Sequence, residues 1–220
     1  MNIESMPKQF LPLGGKPVLL HTLEKFALCN RFDAIFVGVH KDWISFTEKL
    51  VAESGVLGIP VFVVEGGSDR TGTIMRIVDA IEESYGESDD HVIVTHDSVR
   101  PFVSLEIIEA NIDAAFSSGA CDTVISATDT IVCSEDGWFI ESIPDRSHMY
   151  QGQTPQSFRI PLLRRAYELL SDDERERLTD ACGMLSKSGI PVQLVEGSVS
   201  NIKLTTIMDY KMAQAMVETY

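Results

Sequence analysis

Apolar and polar positions along this chain alternate between two rhythms. Short β-branched or apolar runs stand at residues 34–39, 61–64, 92–95, 122–127 and 192–195, and each predicts a strand. Between them, apolar residues recur at helical spacing over 18–27, 43–52, 74–81, 105–117, 161–170 and from about 208 onward, and these predict helices. Ser104 is placed to cap the helix at 105, Pro17 to start the one at 18, and Thr179-Asp180 to cap a helix that runs through 186. Strands and helices that alternate in this way predict an α/β fold: one Rossmann-like domain over 1–220, with a mostly parallel sheet and helices on both faces. The prolines around Lys8 argue against helix at 6–13. Residues 130–133 and 138–140 flank Ser134-Glu135-Asp136-Gly137 and predict a β-hairpin arm over about 130–142, inserted in the domain as an embellishment. The stretch 149–158 is too rich in amides to read as ordinary core, and the acidic run at 172–176 reads as a solvated face.

The run at 92–95 organises the rest. It stops at His96-Asp97-Ser98-Val99-Arg100-Pro101, just past a predicted strand's carboxyl end, where open α/β sheets bind ligands. Asp97 with Arg100 suits a phosphate held together with a metal ion, and equally an ion pair that fixes a tight turn. A second corner, Glu65-Gly66-Gly67-Ser68-Asp69-Arg70-Thr71-Gly72-Thr73, joins a strand to a helix through a glycine pair. Its N–H groups could face a phosphate or a base edge. It is neither a dinucleotide fingerprint nor a Walker loop. Lys8 stands alone among apolar residues and could simply snorkel, and His21 reads as a structural polar residue.

Charge changes the picture. A net charge of −15 argues against a nucleic-acid backbone or an anionic membrane surface as partner. A polyanionic small ligand would then need a local basic cluster set into an acidic body. Cys29, Cys121, Cys133 and Cys182 have no metal-site or disulfide spacing, and no apolar run approaches membrane-spanning length. With no signal-peptide pattern before the first motif, a cytoplasmic setting with reduced thiols is the expectation.

Five ordered motifs then converge: Pro7-Lys8-Gln9-Phe10, Gly66 to Arg70, His96 to Pro101, Gln153-Thr154-Pro155-Gln156-Ser157-Phe158, and Asn201-Ile202-Lys203-Leu204-Thr205. Together they resemble the polyol-phosphate cytidylyltransferases, the family of the 2-C-methyl-D-erythritol 4-phosphate and ribitol-5-phosphate enzymes. The wording of 149–152, Phe102 and 65–70 is similar to the ribitol-phosphate branch, with the methylerythritol branch as the alternative. The resemblance implies transfer of CMP from CTP to a polyol phosphate, with Mg²⁺ present. In a teichoic acid pathway the product is CDP-ribitol; in the alternative it is an isoprenoid precursor.

It further implies Lys8 and Lys203 as catalytic cations. Gly66, Gly67, Arg70, Thr73, Asp97 and Ser98 fall on the nucleotide side, and Asp97, Arg100, Thr130, Arg146 and Thr154 on the substrate side. Asp97 is also placed near the metal, and the arm would make a homodimer. The family pattern includes a buried strand and a glycine-rich loop ahead of the position of Met1. Without them the expectation is an interrupted sheet, and a non-catalytic nucleotide-binding shell becomes the rival reading. A functional protein starting before Met1 is the corresponding expectation. A nicotinamide-dependent dehydrogenase is disfavoured, because no dinucleotide fingerprint follows any strand.

Overall fold

The computed structural model describes residues 6–55, 58–176 and 180–219. Pro7 opens a single 3-10 turn over Lys8–Phe10, in a stretch whose prolines argue against helix. Proline is tolerated just outside a first turn, since no N–H is needed there. β1 (Pro12–Leu13) and β2 (Lys16–Pro17) follow as a small antiparallel hairpin. Its two loop residues, Gly14 and Gly15, both adopt positive φ, as tight hairpins require. The alternation predicted from the sequence then unfolds as α1 (Val18–Ala27), β3 (Ile35–Val39), α2 (Ile44–Ser54), β4 (Val61–Glu65), α3 (Arg70–Tyr85), β5 (Val92–Thr95), α4 (Leu105–Ser118) and β6 (Ala120–Ser126). The chain closes with β7 (Tyr150–Arg159), α5 (Ile160–Leu169), α6 (Asp172–Glu176), α7 (Ala181–Lys187), β8 (Gln193–Glu196) and α8 (Ile207–Thr219).

The fold is α/β, and its strands form two separate larger sheets. β3 and β4 pair in parallel, with Ile35 opposite Val61. The other sheet has the order β5-β7-β6-β8. Here β6 and β8 are parallel, while β7 runs antiparallel to both of its neighbours. Among the described residues β5 is therefore an edge strand, and only Ile93 in it is buried. Helices cover both faces of this sheet. Ile74, Met75 and Val78 of α3 pack with Leu163 and Ala166 of α5 and with Met184 and Leu185 of α7 on one side. On the other side, Ile107, Ile108 and Ile112 of α4 pack against Phe26 and Val103.

β7 is the longest strand and was not legible as one. Its amides and hydroxyls are buried at Gln153, Thr154, Gln156 and Ser157, and each makes at least one hydrogen bond. The arm is also simpler than a hairpin ladder. Among the described residues it has one antiparallel bridge, Cys133 to Ser142, and a tip folded around Asp136, whose carboxylate accepts from the N–H groups of Trp138 and Phe139.

Between β3 and β5 lies a cleft of about 620 Å³. Residues 35–38 line one wall and 92–95 the other, and among the described residues β3 and β5 do not pair with each other. Gly67, Arg70, Thr73, Asp97 and Ser98 also line the cleft.

Candidate active site

The site forms where three segments meet: the turn after β5, the start of α3, and the loop between β8 and α8. Asp97 is its centre. Lys203 Nζ lies 3.0 Å from Asp97 Oδ2, Arg100 Nε lies 3.2 Å from the same oxygen, and Arg70 Nη2 lies 3.4 Å from Oδ1. Burial would raise the Asp97 carboxyl, but the charges of Arg70, Lys203 and Arg100 together hold it below the usual carboxylate range. Lys8 joins from the 3-10 turn and donates to the carbonyl of Thr205, two residues beyond Lys203. One carboxylate facing three cations, with a fourth close by, leaves a local excess of positive charge in an acidic protein. Such a site attracts a polyanion.

The glycine corner is shaped from within. Asp69 caps α3 by accepting from Gly72 N at 2.7 Å. Thr73 Oγ1 accepts from Gly67 N at 2.9 Å and donates to the Asp69 carbonyl at 2.8 Å. Its hydroxyl is thus committed to the turn, a structural use that its expected place on the nucleotide side did not anticipate. A side chain at Gly67 would run into the backbone of Gly72 and Thr73, within 3 Å. That close approach is what requires glycine. Gly66 offers its carbonyl to Arg76 at 3.0 Å, and Ser98 offers its own to Thr22 at 3.0 Å.

Arg100 and Thr154, expected on the substrate side, are both buried and hydrogen-bonded within the protein. Arg100 is 8% exposed, and its Nη1 donates to the Asn201 carbonyl at 2.7 Å, so it straps the Asp97 turn to the Lys203 loop. Thr154 is 2% exposed, with its hydroxyl held by His96 and by the Asp97 N–H. Thr130 and Arg146 stand apart. Thr130 is exposed on the arm, and Arg146 donates to the Thr128 carbonyl at 2.7 Å. Neither has a hydrogen bond or ion pair to the Asp97 cluster among the described residues. Two residues that the sequence argument left without a role, Gln153 and Asn201, are buried in the wall beside the cluster. The signal for Gln153 was the unusual amide content of 149–158, and for Asn201 its place two residues before Lys203.

As a metal ligand, Asp97 does not fit a protein-held ion. Its oxygens are engaged by three cations, and no group of three or more His, Cys, Asp or Glu side chains that could hold a metal gathers among the described residues. The donor set is that of an anion site.

The model of one protein family, IspD: 2-C-methyl-D-erythritol 4-phosphate cytidylyltransferase, matches residues 2–219. The chain belongs to that family. This IspD-family chain is accordingly a nucleotidyltransferase, and its activity is that of a cytidylyltransferase. Solved structures agree. The 4-diphosphocytidyl-2C-methyl-D-erythritol synthase of Anaerococcus prevotii DSM 20548 superposes with a TM-score of 0.81 at 26% identity, covering 94% of this chain and 88% of that one. The Francisella tularensis 2-C-methyl-D-erythritol 4-phosphate cytidylyltransferase gives 0.79 at 28% identity, over 97% and 94% of the two chains. The Thermus thermophilus enzyme of the same name gives 0.74 at 28% identity, over 96% and 94%.

Proposed function

We propose that this protein transfers CMP from CTP to 2-C-methyl-D-erythritol 4-phosphate in the cytoplasm, as a step of isoprenoid precursor synthesis. The observation that carries the choice of substrate is the family match over residues 2–219, together with relatives named for that reaction. None of the three relatives described above is a ribitol-phosphate enzyme, so the expectation of the ribitol branch gives way to its alternative. Among the described residues, no helix is long and apolar enough to cross a membrane.

The reaction suits the residues. A phosphate oxygen of the polyol phosphate attacks the α-phosphorus of CTP, the bond from that phosphorus to the bridging oxygen breaks, and pyrophosphate leaves. The attacking oxygen is already ionised near neutral pH, since a phosphomonoester's second pKa is about 6. No general base is needed. The barrier lies in bringing a dianion onto a triphosphate, so positioning and positive charge do the catalysis. Lys203 and Arg70 beside Asp97, with Lys8 held to the carbonyl of Thr205 on the Lys203 loop, supply that charge. Because the residues do not form a resident cation site, a divalent ion is expected to enter already bound to the triphosphate. Arg146 and Thr130 take the substrate-phosphate role from the base of the arm. The arm's apolar tip, with Trp138 87% and Phe139 78% exposed, docks a second subunit.

The test is pyrophosphate release from CTP with methylerythritol phosphate and ribitol 5-phosphate in parallel. A higher kcat/KM for methylerythritol phosphate is expected. Preference for ribitol 5-phosphate would overturn the assignment.

A further inference from the structure

Lys8 sits on a segment with little regular structure of its own. The 3-10 turn over Lys8–Phe10 is held by two backbone bonds, Phe10 N to the Pro7 carbonyl at 3.0 Å and Leu11 N to the Lys8 carbonyl at 3.2 Å. A single turn of this kind is weak alone, because 3-10 bonds have poorer geometry than α-helical ones. The place of the lysine must then be set by what the neighbouring side chains pack into.

Those side chains reach in two directions. Phe10 is 3% exposed, and its ring meets two others. Trp43 lies 5.0 Å away between centroids, and Phe46 lies 4.9 Å away, edge to face at 73°. Trp43 and Phe46 themselves cross at 90° with centroids 5.5 Å apart, so each ring of the three meets both others. The base of this triad is pinned. Trp43 N donates to the His40 carbonyl at 2.8 Å, and the buried Thr47 hydroxyl donates to the Trp43 carbonyl at 2.7 Å. Phe10 thereby joins the core of α1, α2 and β3. In the other direction, Leu13 packs with Leu204 and Ala213, and the Tyr210 hydroxyl donates to the Pro12 carbonyl. Lys8 Nζ donates to the Thr205 carbonyl at 3.3 Å, while the N–H and hydroxyl of Thr205 are both held by Asp209 Oδ2, at 2.9 and 2.7 Å. Residues 8–13 thus bridge two packed clusters, and Phe10 is the anchor that lies inside the turn itself.

We propose that Phe10, Trp43 and Phe46 are positioning residues for Lys8, fixing its turn so that the ammonium meets the triphosphate, and that they act through the lysine rather than on the ligand. A lysine is a point charge on a flexible stem, so its effect depends on where its backbone is held. The nucleotide part of this inference rests on the cytidylyltransferase reading; the hydrogen-exchange part does not.

The experiment is a double-mutant cycle on the whole chain. Phe46 is 41% exposed, so Phe46→Ala opens the triad without emptying the core. Calorimetry gives the CTP affinity of wild type, Phe46→Ala, Lys8→Ala and the double variant. Phe46→Ala is expected to weaken CTP binding about fivefold or more, and Phe46→Tyr to restore it. The double variant should bind within about twofold of Lys8→Ala, since the triad then has no lysine left to place. Losses that multiply in the double variant would show the ring acting independently of Lys8 and overturn the proposal, as would wild-type affinity in Phe46→Ala. Amide hydrogen exchange supplies the readout without nucleotide. In Phe46→Ala, Leu11 N–H should exchange about tenfold faster or more, while Ile35 N–H, bonded to the Pro60 carbonyl in the same cluster, keeps its wild-type rate. Unchanged exchange at Leu11, or equal acceleration at both amides, would overturn the proposal whatever the site binds. A wild type that takes up no CTP would refute the reading of the site, and the exchange comparison would still decide the positioning. Should Phe46→Ala fail to fold, Phe46→Leu takes its place with the same expectations.

Discussion

Asp97 and Asp122 show how environment divides two carboxylates of the same site region. Three cations hold Asp97 in its ionised form. Asp122 on β6 has no ion pair among the described residues, and the charge of Arg70 lowers its pKa only weakly. Burial pushes its pKa up to about 6, against the opposing hydrogen bond from Gln156 Nε2 at 3.0 Å and with the charge of Asp180 adding to the rise. A folded pKa of about 6 above an unfolded value of 3.8 means that the folded state binds more protons between those limits. Stability from this group therefore falls as pH rises through that window. His96 works in the opposite sense, because its folded value of about 4 lies below 6.5, so its contribution to stability grows as pH rises between them. The overlapping slopes make the wild-type profile a poor guide, and the difference for Asp122→Asn separates them. The amide oxygen still accepts from Gln156. The melting temperature of Asp122→Asn relative to wild type should therefore climb between about pH 4.5 and pH 7. A constant difference across that range would mean that Asp122 ionises normally.

At the scale of elements, the arm carries the substrate-side prediction. Arg146→Lys keeps the charge but loses the planar fork that suits a phosphate. KM for the polyol phosphate should rise with CTP affinity nearly unchanged, and equal losses for both ligands would place Arg146 in the fold or on the nucleotide side. Trp138, Phe139 and Ile140 are all exposed, so sedimentation should find a dimer that Trp138→Ser weakens. A stable, active wild-type monomer at micromolar concentration would exclude that role. The elements also show what the sequence could carry. The runs at 34–39 and 92–95 were legible because β-branched residues stand together, and Ser104 was legible as a cap because a serine stands just before a helical apolar pattern; its hydroxyl does accept from Ile107 N. β7 was not, because its buried positions hold Gln153, Thr154 and Gln156, and their partners come from Asp97, Asp122 and Asn201, far away in sequence. The site followed the same rule. Lys8, Arg70, Asp97 and Lys203 could be placed by motif, whereas the inward-facing roles of Arg100 and Thr154 depend on contacts that only the fold creates.

At the scale of the whole molecule, the two sheets face each other across the cleft lined by β3 and β5. The central claim is that the cations gathered around Asp97 stabilise the charge that grows during cytidylyl transfer. The most direct measurement follows pyrophosphate release from CTP and methylerythritol phosphate by wild type and Lys203→Ala, with CTP affinity measured alongside. The account predicts a fall in kcat of about a hundredfold or more with CTP binding changed far less. Near-normal kcat with only a raised KM would contradict it.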